Sequence, residues 1–172
     1  MIARIEPGGR KRAVVRYHLR VILTGTEPLV WRLLQVPGTA KLDWLHAVLQ
    51  VAIGWTNSHL HRFEVNGVPY SDTRHHYAEF EDDPEIFEES KVSMVKVAPE
   101  RGDRFNYDYD FGDSWRHEIV VDAILPPSTA GAAQAICLDG ARACPPEDCG
   151  GIWGYANLLK SSRTPNTRST KR

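Results

Sequence analysis

Apolar and polar residues alternate through AVVRYHLRVIL, residues 13–23. Val15, Tyr17, Leu19, Val21 and Leu23 share one parity, and Arg16, His18 and Arg20 take the other. That is the pattern of a strand with one face buried. GTEP at 25–28 reads as a turn, and LVWRLLQVP as a second strand ended by Pro37 and Gly38, so the two form a hairpin. The period then changes. In TAKLDWLHAVLQVAIGW, Leu42, Leu45, Val48, Leu49, Ala52 and Ile53 recur at helical spacing. Thr39 is the expected N-cap, Asp43 suits the positive end of the helix dipole, and Gly54 is the expected stop. HLHRFEV at 59–65 reads as a strand running into an Asn66-Gly67 turn. Residues 71–90 are polar and irregular, and KVSMVKV at 91–97 reads as a short strand or a turn of helix.

The stretch NYDYDFGDSWRHEI, 106–119, has two possible registers. A loop of even length sets Asp108 against His117 and Asp110 against Trp115. A loop of odd length, centred on Gly112, pairs Tyr109 with Trp115, Tyr107 with His117 and Phe105 with Ile119. It also pairs Asp108 with Arg116 on the opposite face. One residue of slip moves every side chain to the other face. The odd register yields one aromatic face and one charge-paired face, and it is the register expected here. The Pro- and Ala-rich LPPSTAGAAQA reads as a link, and the first part of ICLDGARACPPEDCGGIWGYANLLK as a Gly/Pro loop. Ile152, Tyr155, Ala156, Leu158 and Leu159 then predict a short helix, stopped by a polar tail.

Composition bounds the class. At 172 residues, with 42% hydrophobic and 25% charged side chains, the chain suits one ordinary globular domain. The expected division is a flexible basic N-terminus at 1–11, one domain at 12–160 and a disordered basic tail at 161–172. No apolar run approaches the roughly 18 residues of a membrane span, and MIARIEPGGRKRAVV has no apolar signal core. A net charge of −1 argues against binding polyanions by overall charge. Three cysteines are too few for a disulfide scaffold, so a cytoplasmic protein with reduced or metal-bound thiols is expected. EFEDDPEIFEES at 79–90 carries seven acidic side chains, while both chain ends are basic. These runs read as solvated segments, with contact between the basic ends and nucleic acid as the sharper alternative.

The residues that could carry chemistry are few. Cys144 and Cys149 bracket PPED, and with Cys137 and His59 or His61 they could complete a zinc site. The alternative reading makes the cysteines small apolar residues of a packed loop. His59 and His61 alternate along a strand and share a side. Asp108, Asp110 and Asp113 could hold a hard cation, although Asp108 is expected to pair with Arg116 and Asp113 with turn amides. Ser114 and His117 fall on opposite faces of the hairpin, which separates them as a nucleophile and base. The amides of Gly150 and Gly151, ahead of the last helix, could receive an anion.

Three blocks are familiar as a set: DWLHAVLQVAIGWTNSHLHRFEVNG, YDYDFGDSWRHEIVV and CLDGARACPPEDCGGIWGYANLL. They resemble, in order, the signature blocks of the plasmid pRiA4b ORF-3-like family, over about residues 14–160. The resemblance implies an α+β fold, a mixed or antiparallel sheet roll with one main helix packed on it. Many members of that family bear the name of a transposon-passenger TnpR-type resolvase, and related domains occur fused to zinc-binding modules, which implies an adaptor role. A serine recombinase needs a nucleophilic serine near its N-terminus, yet Ser58 is the first serine here. The family continues past the last block with a helical, acidic segment. The match is expected to stop near Leu159, as a truncated C-terminus would make it. The reading is therefore an interaction protein of plasmid or transposon association, without enzymatic activity. Its surface for a protein partner would be the loops 57–61, 110–117 and 144–154, with His59, His61, Asp110, Asp113, Trp115, Gly150, Gly151 and Trp153. A metal-binding module or metal-dependent enzyme using CPPEDC, with zinc, is the alternative, and a DNA-binding or resolvase-type role the third. The three loops are expected to converge.

Overall fold

The structure is a computed structural model that describes residues 12–74, 85–129 and 134–163. The basic N-terminus at 1–11, the acidic run at 79–84 and the tail beyond 163 lie outside the described residues. Eight strands form one sheet: β1 (Val14–Leu23), β2 (Val30–Pro37), β3 (His61–Val65), β4 (Val68–Ser71), β5 (Phe87–Glu88), β6 (Arg104–Tyr109), β7 (Trp115–Ser128) and β8 (Ile136–Ala141). Their spatial order is β5-β4-β3-β6-β7-β1-β2-β8. Adjacent strands are antiparallel except β4 and β5, which are parallel. The helices are α1 (Leu42–Ile53), α2 (Met94–Val97) and α3 (Gly151–Arg163). The α+β class and the single main helix on a sheet are as expected. No helix is long and apolar enough to cross a membrane among the described residues.

The alternation read from β1 is the burial observed. Tyr17, Leu19, Val21 and Leu23 are buried, and the arginines and histidine between them are only half-covered. β3 and β4 join through Asn66 and Gly67, both at positive φ, as the two-residue hairpin turn requires. In α1 the apolar stripe of Leu42, Leu45, Leu49 and Ile53 is buried against the sheet. Gly54 closes the helix in the left-handed conformation at φ 95, with its amide on the Gln50 carbonyl. The start differs from expectation. Lys41, not Thr39, is the N-cap residue, and no side chain caps the helix. Lys41 bridges to Ser93, and the Leu42 amide bonds to the Val92 carbonyl at 3.2 Å, so a neighbouring segment does the work of a cap.

Two further elements depart from the sequence reading. The segment 136–141, expected as a loop, is the edge strand β8, paired with β2 from Trp31↔Ala141 to Gln35↔Ile136. Ile136, Cys137, Leu138, Asp139 and Gly140 are all exposed, so no alternation marks β8 in the sequence. Leu125–Ser128, expected as a link, continue β7 along β1, with the prolines at a register shift between Val14 and Arg16. There β7 has passed its last pair with β6, Arg104↔Val120, so a missing donor breaks no second ladder. Helix α3 also runs to Arg163, past the expected end of the domain at 160.

The fully buried Leu49 packs in the main core, whereas Val51 on the same helix is 83% exposed. Leu49→Ala is expected to cost about 2–5 kcal/mol of unfolding free energy, and Val51→Ala less than about 0.5 kcal/mol. Denaturant unfolding of the two variants checks this, and equal losses would contradict the orientation of α1.

Candidate functional site

The hairpin of β6 and β7 takes the odd register. Tyr109 faces Trp115, Tyr107 faces His117 and Phe105 faces Ile119. Asp108 faces Arg116, and the guanidinium grips it through Nε on Oδ1 at 2.8 Å and Nη2 on Oδ2 at 3.2 Å. Arg62 donates to the same carboxylate at 3.2 Å. At the tip it is Asp110, not Asp113, that accepts from the turn amides. Its Oδ1 takes those of Gly112 at 3.0 Å and Asp113 at 3.2 Å. Asp113 instead reaches out of the turn and accepts the Gly150 amide at 3.1 Å. The anion-receiving position ahead of α3 is thus filled by a carboxylate of this chain, which corrects the expectation that the Gly150 amide faces a ligand. Gly151 lies against the same turn, and a Cβ there would stand 2.6 Å from the Asp113 carbonyl.

These bonds bring the three loops together as expected. Trp55 Nε1 donates to the Pro145 carbonyl at 2.9 Å. Glu147 Oε2 accepts from the Thr56 amide and hydroxyl at 3.0 and 2.6 Å, while Oε1 accepts from the Tyr109 hydroxyl at 2.5 Å. The Ser58 amide donates to the Tyr109 hydroxyl at 3.0 Å. Burial raises the Tyr109 pKa to about 12, with the Glu147 bond adding to it. Beneath the loops, Trp55 stacks on Tyr109 at 4.7 Å between centroids and tilts against Trp115 at 5.9 Å.

Side chains expected at one surface divide into floor and rim. Trp115 is fully buried, which removes it from any surface a partner could touch. Trp153 is 83% exposed. His59 Nε2 lies 3.0 Å from Asp148 Oδ1 and 3.7 Å from Asp110 Oδ2. His61 is buried, pairs with the buried Glu89 at 2.8 Å and stacks on His46 with ring centroids 3.5 Å apart. His59 and His61 do line one cleft, of about 720 Å³, with His46, Asn57, Ser58 and Glu89.

The cysteine site is not assembled. Cys144 Sγ lies 3.2 Å from Arg32 Nη2, and Cys137 is exposed on β8. Burial raises the Cys144 thiol pKa against the opposing pull of Arg32. Cys149 is raised as well, by burial and then by Asp113. Among the described residues, the group of three possible ligands within 4.8 Å of one another is His59, Asp110 and Asp148. The sequence reading had placed His59 with the cysteines and left Asp148 out, because a loop's tertiary path decides which way PPEDC turns its acids.

A second polar group, also missed, lies below the cleft. Gln50 Nε2 donates to the Tyr107 hydroxyl at 3.0 Å, and His46 Nδ1 lies 2.8 Å from the same oxygen. His46 Nε2 meets Asn57 Oδ1 at 2.7 Å, and the Asn57 amide returns to Gln50 Oε1 at 2.9 Å. The ring closes if His46 is neutral, donating from Nε2 and accepting at Nδ1. Burial, then the neighbouring His61, lowers the His46 pKa to about 4. His117 is lowered to about 4 by burial as well. The signal available in the sequence was His46 and Gln50, four apart on the edge of an apolar stripe.

Both rings are held neutral in the fold, so the unfolded chain binds more protons between pH of about 4 and 6.5. Stability is therefore expected to fall as pH drops through that window, by roughly 2–3 kcal/mol per ring. Urea unfolding at pH 7, 5.5 and 4.5 reads the slope. His117→Leu should make it shallower, and an unchanged slope would contradict a neutral buried His117.

Comparison with known proteins agrees with this architecture. The family model for plasmid pRiA4b ORF-3-like proteins matches residues 15–172, past the expected stop at Leu159. The uncharacterized protein y4hQ of Sinorhizobium fredii (strain NBRC 101917 / NGR234) is 38% identical over 154 residues, covering 89% of this chain and 75% of that protein. The crystal structure of MM3350 from Methanosarcina mazei Go1, a protein of unknown function, superposes with a TM-score of 0.74 at 32% identity. The match covers 88% of this chain and 83% of that one. With its fold, its three joined loops and this match, the chain belongs to the plasmid pRiA4b ORF-3-like family.

Proposed function

We propose that the protein is an accessory interaction module that binds a protein partner through the face built by its three joined loops. The observation that carries this reading is the tie between loops distant in sequence: Asp113 to Gly150, Thr56 and Tyr109 to Glu147, and Trp55 to Pro145. A surface held in one shape before binding loses less conformational entropy on association. Two aromatic side chains stand exposed beside the tie between hairpin and helix: Phe111 at the hairpin tip, 45% exposed, and Trp153 in the first turn of α3. Exposed aromatic anchors over a rigid base are typical of residues that dominate binding energy.

Among the described residues, the pairing of charges favours a protein over a nucleic acid as the partner. Arg20 pairs with Asp122, Arg104 with Glu118, and Arg62 and Arg116 with Asp108. Arginines already held by carboxylates of the chain release few counterions from a phosphate backbone. An association with plasmid or transposon elements, a cytoplasmic location and action without catalysis belong to this proposal.

Trp153→Ala and Phe111→Ala are expected to leave unfolding free energy within about 1 kcal/mol of wild type, because neither side chain is in the core. Each should abolish capture of the partner that the wild-type chain retains from its host lysate, while Val51→Ala, on an exposed part of α1, should not. Equal capture by all variants would overturn the assignment of this face.

A further inference from the structure

We propose that His59, Asp110 and Asp148 form a binding site for a first-row divalent transition ion, with Zn²⁺ the ion of choice. The group joins all three loops: Asp110 comes from the hairpin tip, Asp148 from the CPPEDC loop and His59 from the segment before β3. Their donor atoms lie within 4.8 Å of one another.

The spacing suits coordination of one ion. Ligands about 2.1 Å from one ion stand roughly 3.0–3.4 Å apart in octahedral or tetrahedral geometry. His59 Nε2 stands 3.0 Å from Asp148 Oδ1 and 3.7 Å from Asp110 Oδ2, so small rotations would bring all three onto one centre. Although close to both carboxylates, the Nε2 atom is buried and makes no hydrogen bond with any described residue. Two donors that share an ion lie off each other's lone-pair axes, so closeness without alignment is the expected relation.

A second observation comes from Asp110. Its side chain is more than nine-tenths buried, and Oδ1 is consumed by the amides of Gly112 and Asp113. Oδ2 accepts no hydrogen bond from any described residue and is turned toward His59. Left free by the turn amides and 3.7 Å from His59 Nε2, this oxygen is placed to serve as a ligand. The turn amides also orient the carboxylate as a supporting shell would. Asp148, 74% exposed, keeps one side of the group open to solvent, where water or a partner's donor could complete the coordination. One imidazole and two carboxylates suit zinc and its first-row neighbours; an all-oxygen set would suit calcium or magnesium better. None of the three cysteines belongs to the group.

This inference goes beyond the interaction reading and does not rest on it, since it is read on the isolated protein. Full-length protein, freed of any metal-affinity tag and stripped with chelator, is titrated with ZnCl₂ in a calorimeter, with CaCl₂ and MgCl₂ in parallel. One equivalent of Zn²⁺ is expected to bind, in preference to the other two ions. His59→Gln and Asp148→Asn should each weaken binding by at least the roughly 10-fold that loss of a supporting residue costs. Cys144→Ser/Cys149→Ser should leave it unchanged. Asp148→Asn is the decisive variant, because its side chain is exposed and its loss does not endanger the fold. Absence of Zn²⁺ binding, preference for Ca²⁺ or Mg²⁺, indifference to Asp148→Asn, or loss in the cysteine variant would each overturn the site.

Discussion

Asp110 Oδ1 holds two amides of its own turn, and that clamp sets the register on which the loops depend. With an odd loop, Tyr107 and Tyr109 enter the core opposite His117 and Trp115, and Asp108 takes the other face, where Arg116 and Arg62 hold it. A slip of one residue would turn Asp108 into the aromatic layer, away from its arginines, and turn both tyrosines out of it, leaving a buried charge unpaired. The same clamp frees Asp113 to reach Gly150 and leaves Asp110 Oδ2 facing His59. Local turn chemistry thus reaches into the contacts of residues nearly 40 positions away.

Above and below this turn, the protein buries several polar side chains. His46, Gln50, His61, Glu89 and His117 are all buried. Most of them are matched. The ring of Gln50, Tyr107, His46 and Asn57 closes on itself, and His61 has Glu89. His117 Nε2 has no hydrogen-bond partner among the described residues and is held among aromatic rings, including Trp55 in an edge contact at 5.5 Å. A fully satisfied network specifies one arrangement of the elements that supply it, because any other leaves buried groups without partners. Here it pins α1 to β6 and fixes the segment at Asn57, which leads into His59. The position of the rim is therefore set from the core outward.

The loop face combines unlike parts. Its floor is apolar and stacked, its ties are carboxylates on amides and hydroxyls, and its rim carries both exposed aromatics and acids. Glu147 and Asp148 are neighbours in one short loop with separate duties. Glu147 joins Thr56 to Tyr109, and Asp148 turns to His59. Both Asp110 and Asp148 take positive φ, near 54° and 55°, a conformation that aspartate accepts more readily than most residues.

Hydrophobic period and turn residues were enough to read β1, β2, the body of α1, the Asn66-Gly67 turn and the aromatic hairpin with its register. Each of these is decided by side chains near in sequence that share one buried face. The same logic fails where no face is buried on one side only. β8 is exposed in all but its last residue and exists because β2 offers it an edge. Lys41 begins α1 because a segment some fifty residues later supplies the missing partner. The candidate site divides in the same way. His59, Asp110 and the meeting of the three loops were legible, since long motifs rich in Gly, Asp and Trp mark loops held for a reason. That His59 meets Asp148 and not a cysteine, that Trp115 is floor and Trp153 rim, and that Asp113 caps a distant amide were decided only by the tertiary structure. Those choices depend on the direction in which a side chain leaves a loop, and a loop takes that direction from the surfaces packed against it.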